Sequence, residues 1–327
     1  MSFSNNDTRA ARLPVDAGRQ FLIEHAARMF YNEHRTQNAI GKELGLNRWQ
    51  VSRLLQEARD LGIVRIEIVP RSDRLPELES RLVEAYGLRD AVVVRQSNSG
   101  ELEGVVHAAG QYIAALMPSP RRIGVSWGRT MAAVAHWLPD GWSHDVDVVQ
   151  INGTVAPVPQ SGHHNDVAET FARKGAGRFV PLPVPALVGE TRTREVLEQD
   201  RIVADVLELA RSTQLLCFSL GALDDSALLA SGNITADEQS RLRQAGAVGD
   251  ILGRFIDARG RIVEPELDDR TIGLSIPDLR HCERAICVVT GKDKHEVTCG
   301  ALHVGLCNTL ITDRETATYA LEYANDC

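Results

Sequence analysis

The chain has 327 residues, 43% of them apolar and 24% charged, enough to bury a sizeable core beside a smaller second domain. No run approaches the ~18 consecutive apolar residues of a membrane helix, and the opening MSFSNNDTRAARLP lacks the apolar stretch of a secretory leader, so a cytoplasmic protein is expected. The net charge of -8 speaks against nucleic acid only until its distribution is seen: residues 1–74 hold 12 Lys and Arg against 9 Asp and Glu, the rest 24 against 35.

Four short elements come first. Leu22, Ile23, Ala26, Ala27 and Phe30 recur at helical spacing, predicting a helix over Gln20 to Tyr31. Thr36 can cap a second helix that ends near Leu44, with Gly45 just beyond it. Asn47 can cap a third, Arg48 to Leu61, which Gly62 ends. Ile63 to Ile68 then alternates like a strand until Pro70.

The window from Gln37 to Gln56 has helix-turn-helix spacing. Gly41 sits where two helices would approach closely, Gly45 suits the sharp turn, Leu46 plugs it, and Val51 and Leu54 face inward. Trp49, Ser52, Arg53 and Gln56 then share the outer face of the third helix, with Arg48 and Gln50 beside them. Arg and Gln can read guanine and adenine edges, whereas Ser52, Thr36 and Gln37 suit phosphates. Ile63–Ile68 resembles the wing of winged variants. The competing reading is a helical subdomain whose polar face merely meets water. Spacing, capped short helices and local positive charge together favour DNA.

Leu75 to Tyr86 is predicted as a helix linking two domains. From Asp90 onward, short apolar runs alternate with helical segments such as Leu102–Met117 and Asp200–Arg211. The runs are Ala91–Val94, Arg122–Ser126, Val146–Ile151, Phe179–Leu182, Leu215–Leu220, Ile272–Ser275, Ala285–Val289 and Thr309–Thr312. This pattern predicts an α/β domain with a mostly parallel, Rossmann-like sheet covered by helices. The expected boundaries are a DNA-binding domain over 1–70, a linker helix over 71–90 and an effector domain over 91–327.

Arg122 to Thr130 (RIGVSWGRT) predicts a strand, a tight turn and a helix start. Gly124 and Gly128 allow close backbone approach; Ser126 and Thr130 supply hydroxyls, Arg129 a charge, and Trp127 lies between them. Such a turn suits an anion at a helix N-terminus, although glycines also occur in plain strand-to-helix turns. Other strand ends should line the same crevice: Gln150, Asn152 and Gly153, then Gly221 and Ala222. His295, Cys299, His303 and Cys307 recur every four residues, but they drift too far around a helix for one zinc site. Neither a metal nor a cofactor is expected, and the six scattered cysteines read as buried thiols.

RTQNAIGKELGLNRWQVSRLLQEARDLGIVRIEI, RRIGVSWGRTM, VVQINGTV, QAGAVGDILGRFID and GALHVGLCNTLITDRETA follow one another in an order that resembles the SorC family of sugar-responsive regulators. The resemblance runs from about Ala26 to Leu321. It implies an effector domain similar in fold to sugar-phosphate isomerases and deaminases, a homo-oligomer that is typically a tetramer, and a phosphorylated sugar as effector. Asp250 and Lys294 match family positions near the ligand: Asp250 as a partner for sugar hydroxyls, Lys294 for phosphate or a carbonyl, with plain surface charges as the alternative. In SLGALDD the turn departs from the family's glycine-rich form. The expectation is a DNA-binding transcription regulator of carbohydrate metabolism, not an enzyme, whose operator affinity responds to a phosphorylated sugar or related polyol. The alternative is a sugar-phosphate isomerase or deaminase, for which Asp224, Asp225 and Asp250 are the nearest general bases.

Overall fold

A computed structural model describes residues 17–64, 74–95, 101–155 and 166–326. The chain divides into two compact units, Met1–Pro70 and Arg71–Cys327.

The first unit contains α1 (Ala17–Tyr31), α2 (Gln37–Leu44) and α3 (Arg48–Asp60), closed around Ile23, Ala26, Ile40, Val51, Leu54 and Ala58. Thr36 opens α2 by accepting a hydrogen bond from the Ala39 amide at 3.3 Å, and Gly45, at φ 68°, ends it. Asn47 opens α3 through a reciprocal cap: its Oδ1 accepts from the Gln50 amide and Gln50 Oε1 accepts from the Asn47 amide, both at 2.9 Å. The Gly41 constraint differs from the expected one. A Cβ there would lie 2.5 Å from the Leu46 carbonyl oxygen, so the turn itself, not the facing helix, folds back onto α2. Gly41→Val is expected to cost about 1–3 kcal/mol by overpacking. Hydrogen exchange of α2 and α3 amides reads that loss, and unchanged protection would mean the turn yields freely. Of the expected strand Ile63–Ile68, residues 65–68 lie outside the described residues.

The second unit begins with α4 (Pro76–Tyr86), β1 (Asp90–Val94), α5 (Glu101–Ala114), β2 (Arg122–Val125), α6 (Arg129–Trp137), β3 (Asp147–Gln150), α7 (Val167–Lys174) and β4 (Arg178–Val180). It continues with α8 (Thr191–Gln199), α9 (Arg201–Arg211), β5 (Leu215–Phe218), β6 (Leu220–Ala222), α10 (Ala227–Ala230), α11 (Ala236–Gln244), β7 (Gly249–Ile251) and β8 (Arg254–Ile256). Then come α12 (Pro265–Asp268), α13 (Ile276–His281), β9 (Arg284–Val288), α14 (His295–His303), β10 (Thr309–Asp313) and α15 (Arg314–Asp326). Among the described residues seven strands form one parallel sheet in the order β1-β10-β9-β5-β2-β3-β4. Both faces are buried, as continuous apolar runs require. On β1, Ala91 and Val93 enter one core and Val92 and Val94 the other; on β5, Leu216 and Phe218 oppose Leu215 and Cys217.

Three expectations need correction. Leu215–Leu220 is not one strand: β5 ends at Phe218, and β6 starts a small antiparallel sheet with β7 and β8. Ile272–Ser275 is not a strand; it lies alongside isolated bridges, Asn152 to Gly273 and Leu187 to Thr271. The segment around α4 is no free linker, since Leu82 is fully buried in the core and α4 packs on β1 and α15. It also completes the outer border of β1. The Leu75 amide donates to the Val93 carbonyl at 2.8 Å, and Glu79 Oε1 accepts from the Val93 amide at 2.9 Å. Arg74 holds that carboxylate with two hydrogen bonds of 2.8 and 2.9 Å.

Cys217, Cys287, Cys299 and Cys307 are buried, and Cys307 falls beyond the end of α14, off the helix that carries His295, Cys299 and His303. No helix among the described residues is long and apolar enough to cross a membrane.

Candidate functional site

In a parallel sheet, strand ends and helix starts meet at the carboxyl edge. Here β2 has β3 on one side and β5 on the other, so the loops that follow them part and leave a crevice. The resulting open cleft, of about 70 Å³, gathers residues from six segments. Ser126 to Thr130 come from the turn into α6, Asn152 follows β3, and Ser219 to Gly221 follow β5. Asp225, the β7–β8 turn and Lys294 complete the lining.

Gly128 precedes α6 at φ 133°, a conformation open essentially to glycine, and no side chain caps the helix. The first amides of α6 therefore point into the cleft beside the Thr130 hydroxyl. Lys294 Nζ donates to Thr130 Oγ1 at 3.4 Å. Burial pushes the Lys294 ammonium below its usual range, with Arg129 adding to that effect and Asp293, Cys287 and Asp250 opposing it. Ser126 Oγ and Asn152 Oδ1 are buried and have no hydrogen-bond partner among the described residues. A cation, hydroxyls and an uncapped helix start in one place have the chemistry to hold an oxyanion.

The opposite wall is a carboxylate. Asp250 Oδ1 accepts from Ser226 Oγ at 2.8 Å and Oδ2 from the Gly253 amide at 3.1 Å. Burial raises its pKa, against those two hydrogen bonds and the Lys294 charge. Gly221 is glycine for a packing reason, because a Cβ would sit 2.3 Å from Asp250 Oδ1. With Asn152 close by, this wall offers acceptors for hydroxyls. Arg129 at the mouth pairs with Asp225, and both side chains are more than half exposed. Asp224 points outward and pairs with Arg243 at 2.9 Å, away from the cleft.

Among the residues proposed from sequence, Ser126, Trp127, Gly128, Arg129, Thr130, Asn152, Gly221, Asp250 and Lys294 meet in this cleft. Gly124 and Gly153 do not line it. Gly124 is a core glycine: a Cβ would lie 2.5 Å from Leu216 and 2.6 Å from Ile151. Gly153 supports the rim, its carbonyl accepting from Trp127 Nε1 at 2.6 Å and its Cα pressed against Pro185. The Trp127 indole N–H is thus already engaged. Gln150 likewise faces protein, its Nε2 donating to the Asn152 carbonyl at 2.8 Å. Sequence reasoning missed Ser219, Leu252 and Gly253, and it weighed Asp225 only as a base. Ser219 stands two residues before Gly221, in the same post-strand stretch, where its position was the available signal.

A second surface lies on the first unit. Arg48, Trp49, Gln50, Ser52, Arg53 and Gln56 are all exposed on α3, Trp49 to 68%. Such exposure of an indole on a polar helix is unusual for a monomeric surface. The Arg53 guanidinium lies 5.7 Å from the Trp49 ring centre and 3.5 Å from Glu57. Gln56 and Gln50 are less free than their exposure suggests. Gln56 bonds Asp60 at 2.9 Å and Arg59 at 2.6 Å, and the Gln50 carbonyl caps the helix. Thr36 is occupied in capping α2, with half-buried Gln37 next to it.

Comparison with known proteins gives concordant results. Residues 71–322 match the family described as "Putative sugar-binding domain". The chain is 34% identical over 309 residues to the deoxyribonucleoside regulator of Bacillus subtilis, covering 93% of this chain and 98% of that one. Identity to the sorbitol operon regulator of Klebsiella pneumoniae is 30% over 310 residues, covering 92% and 98%. The crystal structure of the full-length sorbitol operon regulator SorC from Klebsiella pneumoniae superimposes with a TM-score of 0.69 at 26% identity, covering 94% of this chain and all of that one.

Proposed function

Because this chain belongs to the SorC family of sugar-related transcription regulators and is not an enzyme, we propose that its carboxyl-edge cleft binds a phosphorylated sugar or related polyol and thereby sets the operator affinity of its N-terminal helices. In this reading α2 and α3 form the helix-turn-helix of a DNA-binding domain over residues 1–70, with α3 as the recognition helix. The effector domain includes α4, and the protein acts in the cytoplasm as a homo-oligomer, a tetramer, on a partly symmetric operator.

One observation carries the effector assignment. Two buried, unpartnered polar atoms, Ser126 Oγ and Asn152 Oδ1, lie in the cleft that holds the uncapped start of α6, Thr130 and Lys294. A phosphoryl group answers the donors, and sugar hydroxyls answer Asp250 and Asn152. Operator affinity responds if the ligand binds two states of the protein unequally, a coupling of about 1–3 kcal/mol.

A thermal-shift series with phosphorylated sugars, free sugars and polyols tests the assignment. At 100 times Kd a true effector stabilises by about 2.7 kcal/mol, raising the melting temperature by roughly 5–10 °C. The hit should be recovered chemically unchanged after incubation. A shift with free polyols and none with phosphorylated sugars would remove the phosphate from the reading.

A further inference from the structure

The opposite, amino edge of the same sheet holds a feature that sensing at the carboxyl edge does not use. Strands β9, β2 and β4 each begin with an arginine, Arg284, Arg122 and Arg178, and Arg121 and Arg89 stand just before β2 and β1. All five line one open cleft of about 970 Å³. Two of them are already paired: Arg178 with Asp147 at 2.8 Å and Arg89 with Glu283 at 3.2 Å. Arg121, Arg122 and Arg284 have no ion-pair partner among the described residues, and Asp145 is the remaining carboxylate in the lining. Arg122 and Arg284 are half-buried, and Arg122 Nε is buried without an acceptor. Such a donor costs about 1–3 kcal/mol when nothing in the protein satisfies it.

The surrounding charge makes the cluster more pointed. Beyond residue 74 the chain carries 24 Lys and Arg against 35 Asp and Glu, so a concave excess of cations runs against the charge of the domain around it. Concavity with low-dielectric walls focuses such a field. Hydroxyls of Ser119, Ser212 and Thr213 lie in the same lining. Arg122 leaves the sheet on the Leu216 face and Arg284 on the Leu215 face, with β5 between their strands, so they reach the cleft from opposite sides and one small monoanion would not engage both forks. A compact polyanion can enter a concave lining that a flat acidic protein face would only cover.

We propose that this amino-edge cleft is a second anion site, separate from the effector cleft, taking a ligand with at least two adjacent phosphoryl groups. Bidentate guanidinium pairing from Arg122 and Arg284 holds the two groups, and Arg121 adds attraction at the rim.

Titration of the full-length protein with inorganic pyrophosphate, at constant ionic strength and with sulfate as control, tests this. The background is Arg129→Ala/Thr130→Ala/Lys294→Met, which removes the cations and the hydroxyl of the carboxyl-edge cleft. Pyrophosphate is expected to raise the melting temperature and to bind in calorimetry, with sulfate at least tenfold weaker. Adding Arg122→Gln/Arg284→Gln should weaken pyrophosphate at least tenfold. The exposed Arg121→Gln, which leaves the strands untouched, should weaken it several-fold even if the double change unfolds the domain. Absence of pyrophosphate binding, or binding unchanged by Arg121→Gln and by the double change, overturns the site. So does a result in which these changes alter only the oligomeric mass by light scattering, which would make the cleft a protein interface.

Discussion

Lys294→Met is expected to weaken a phosphorylated sugar by on the order of 100-fold, about 3 kcal/mol, while leaving operator binding by the ligand-free protein intact. The ammonium is the half-buried cation next to Thr130 at the α6 start, and truncating one member of a buried charge pair usually costs 2–5 kcal/mol or more. Methionine keeps most of the stem volume, so packing around α14 should survive. The pH profile supplies a separate signature. Burial lowers the pKa of Lys294, so the ammonium loses its proton below the ordinary lysine value of about 10.4. Affinity for the phosphate ester should therefore fall as pH rises through that lowered range, because the cation it needs is being neutralised. The bound dianion favours the charged form, so binding there should take up a proton, visible as buffer-dependent heat in calorimetry. In Lys294→Met this alkaline limb should vanish. A limb that persists in the variant would place the responsible cation elsewhere.

Arg53→Ala is expected to cost about 1–3 kcal/mol of specific operator binding. Its side chain is 63% exposed and lies over Trp49, which limits its rotamers and presents the guanidinium from the outer face of α3. A guanidinium that reads guanine should lose discrimination at one base pair while non-specific affinity stays nearly constant. One that only meets phosphate should weaken all sequences alike and reduce the salt slope by about one. Fluorescence anisotropy against operator and scrambled duplexes at several salt concentrations separates the two. Unchanged affinity for both duplexes would remove α3 as the reading element.

The two capped helices were legible because each cap is a local event. Thr36, Gly45, Asn47 and Gln50 act within four residues of their partners, and the chain order alone shows it. The turn into α6 was legible for the same reason. Gly124 was misassigned because a glycine that admits a ligand and one that admits Leu216 look identical in sequence. The β7–β8 ribbon was missed because its turn places Leu252 at φ 52°, a conformation that leucine does not advertise. That turn carries the Gly253 amide which orients Asp250, so the carboxylate wall was found only through family resemblance. The arginines of the amino edge were beyond sequence reading altogether. They lie between residues 89 and 284 in the chain and meet only because the sheet order brings their strand starts together.

The border of β1 limits how copies of this chain can join. An uncovered outermost strand offers its main chain to any neighbour and so invites open-ended polymerisation. Here Leu75 occupies the Val93 carbonyl and Glu79, held by Arg74, occupies the Val93 amide, closing that margin with residues of the same chain. A neighbouring copy therefore finds no open main chain at Val93 through which to extend the sheet beyond β1. Glu79→Ala would leave the Val93 amide without its acceptor and free Arg74, loosening that flank.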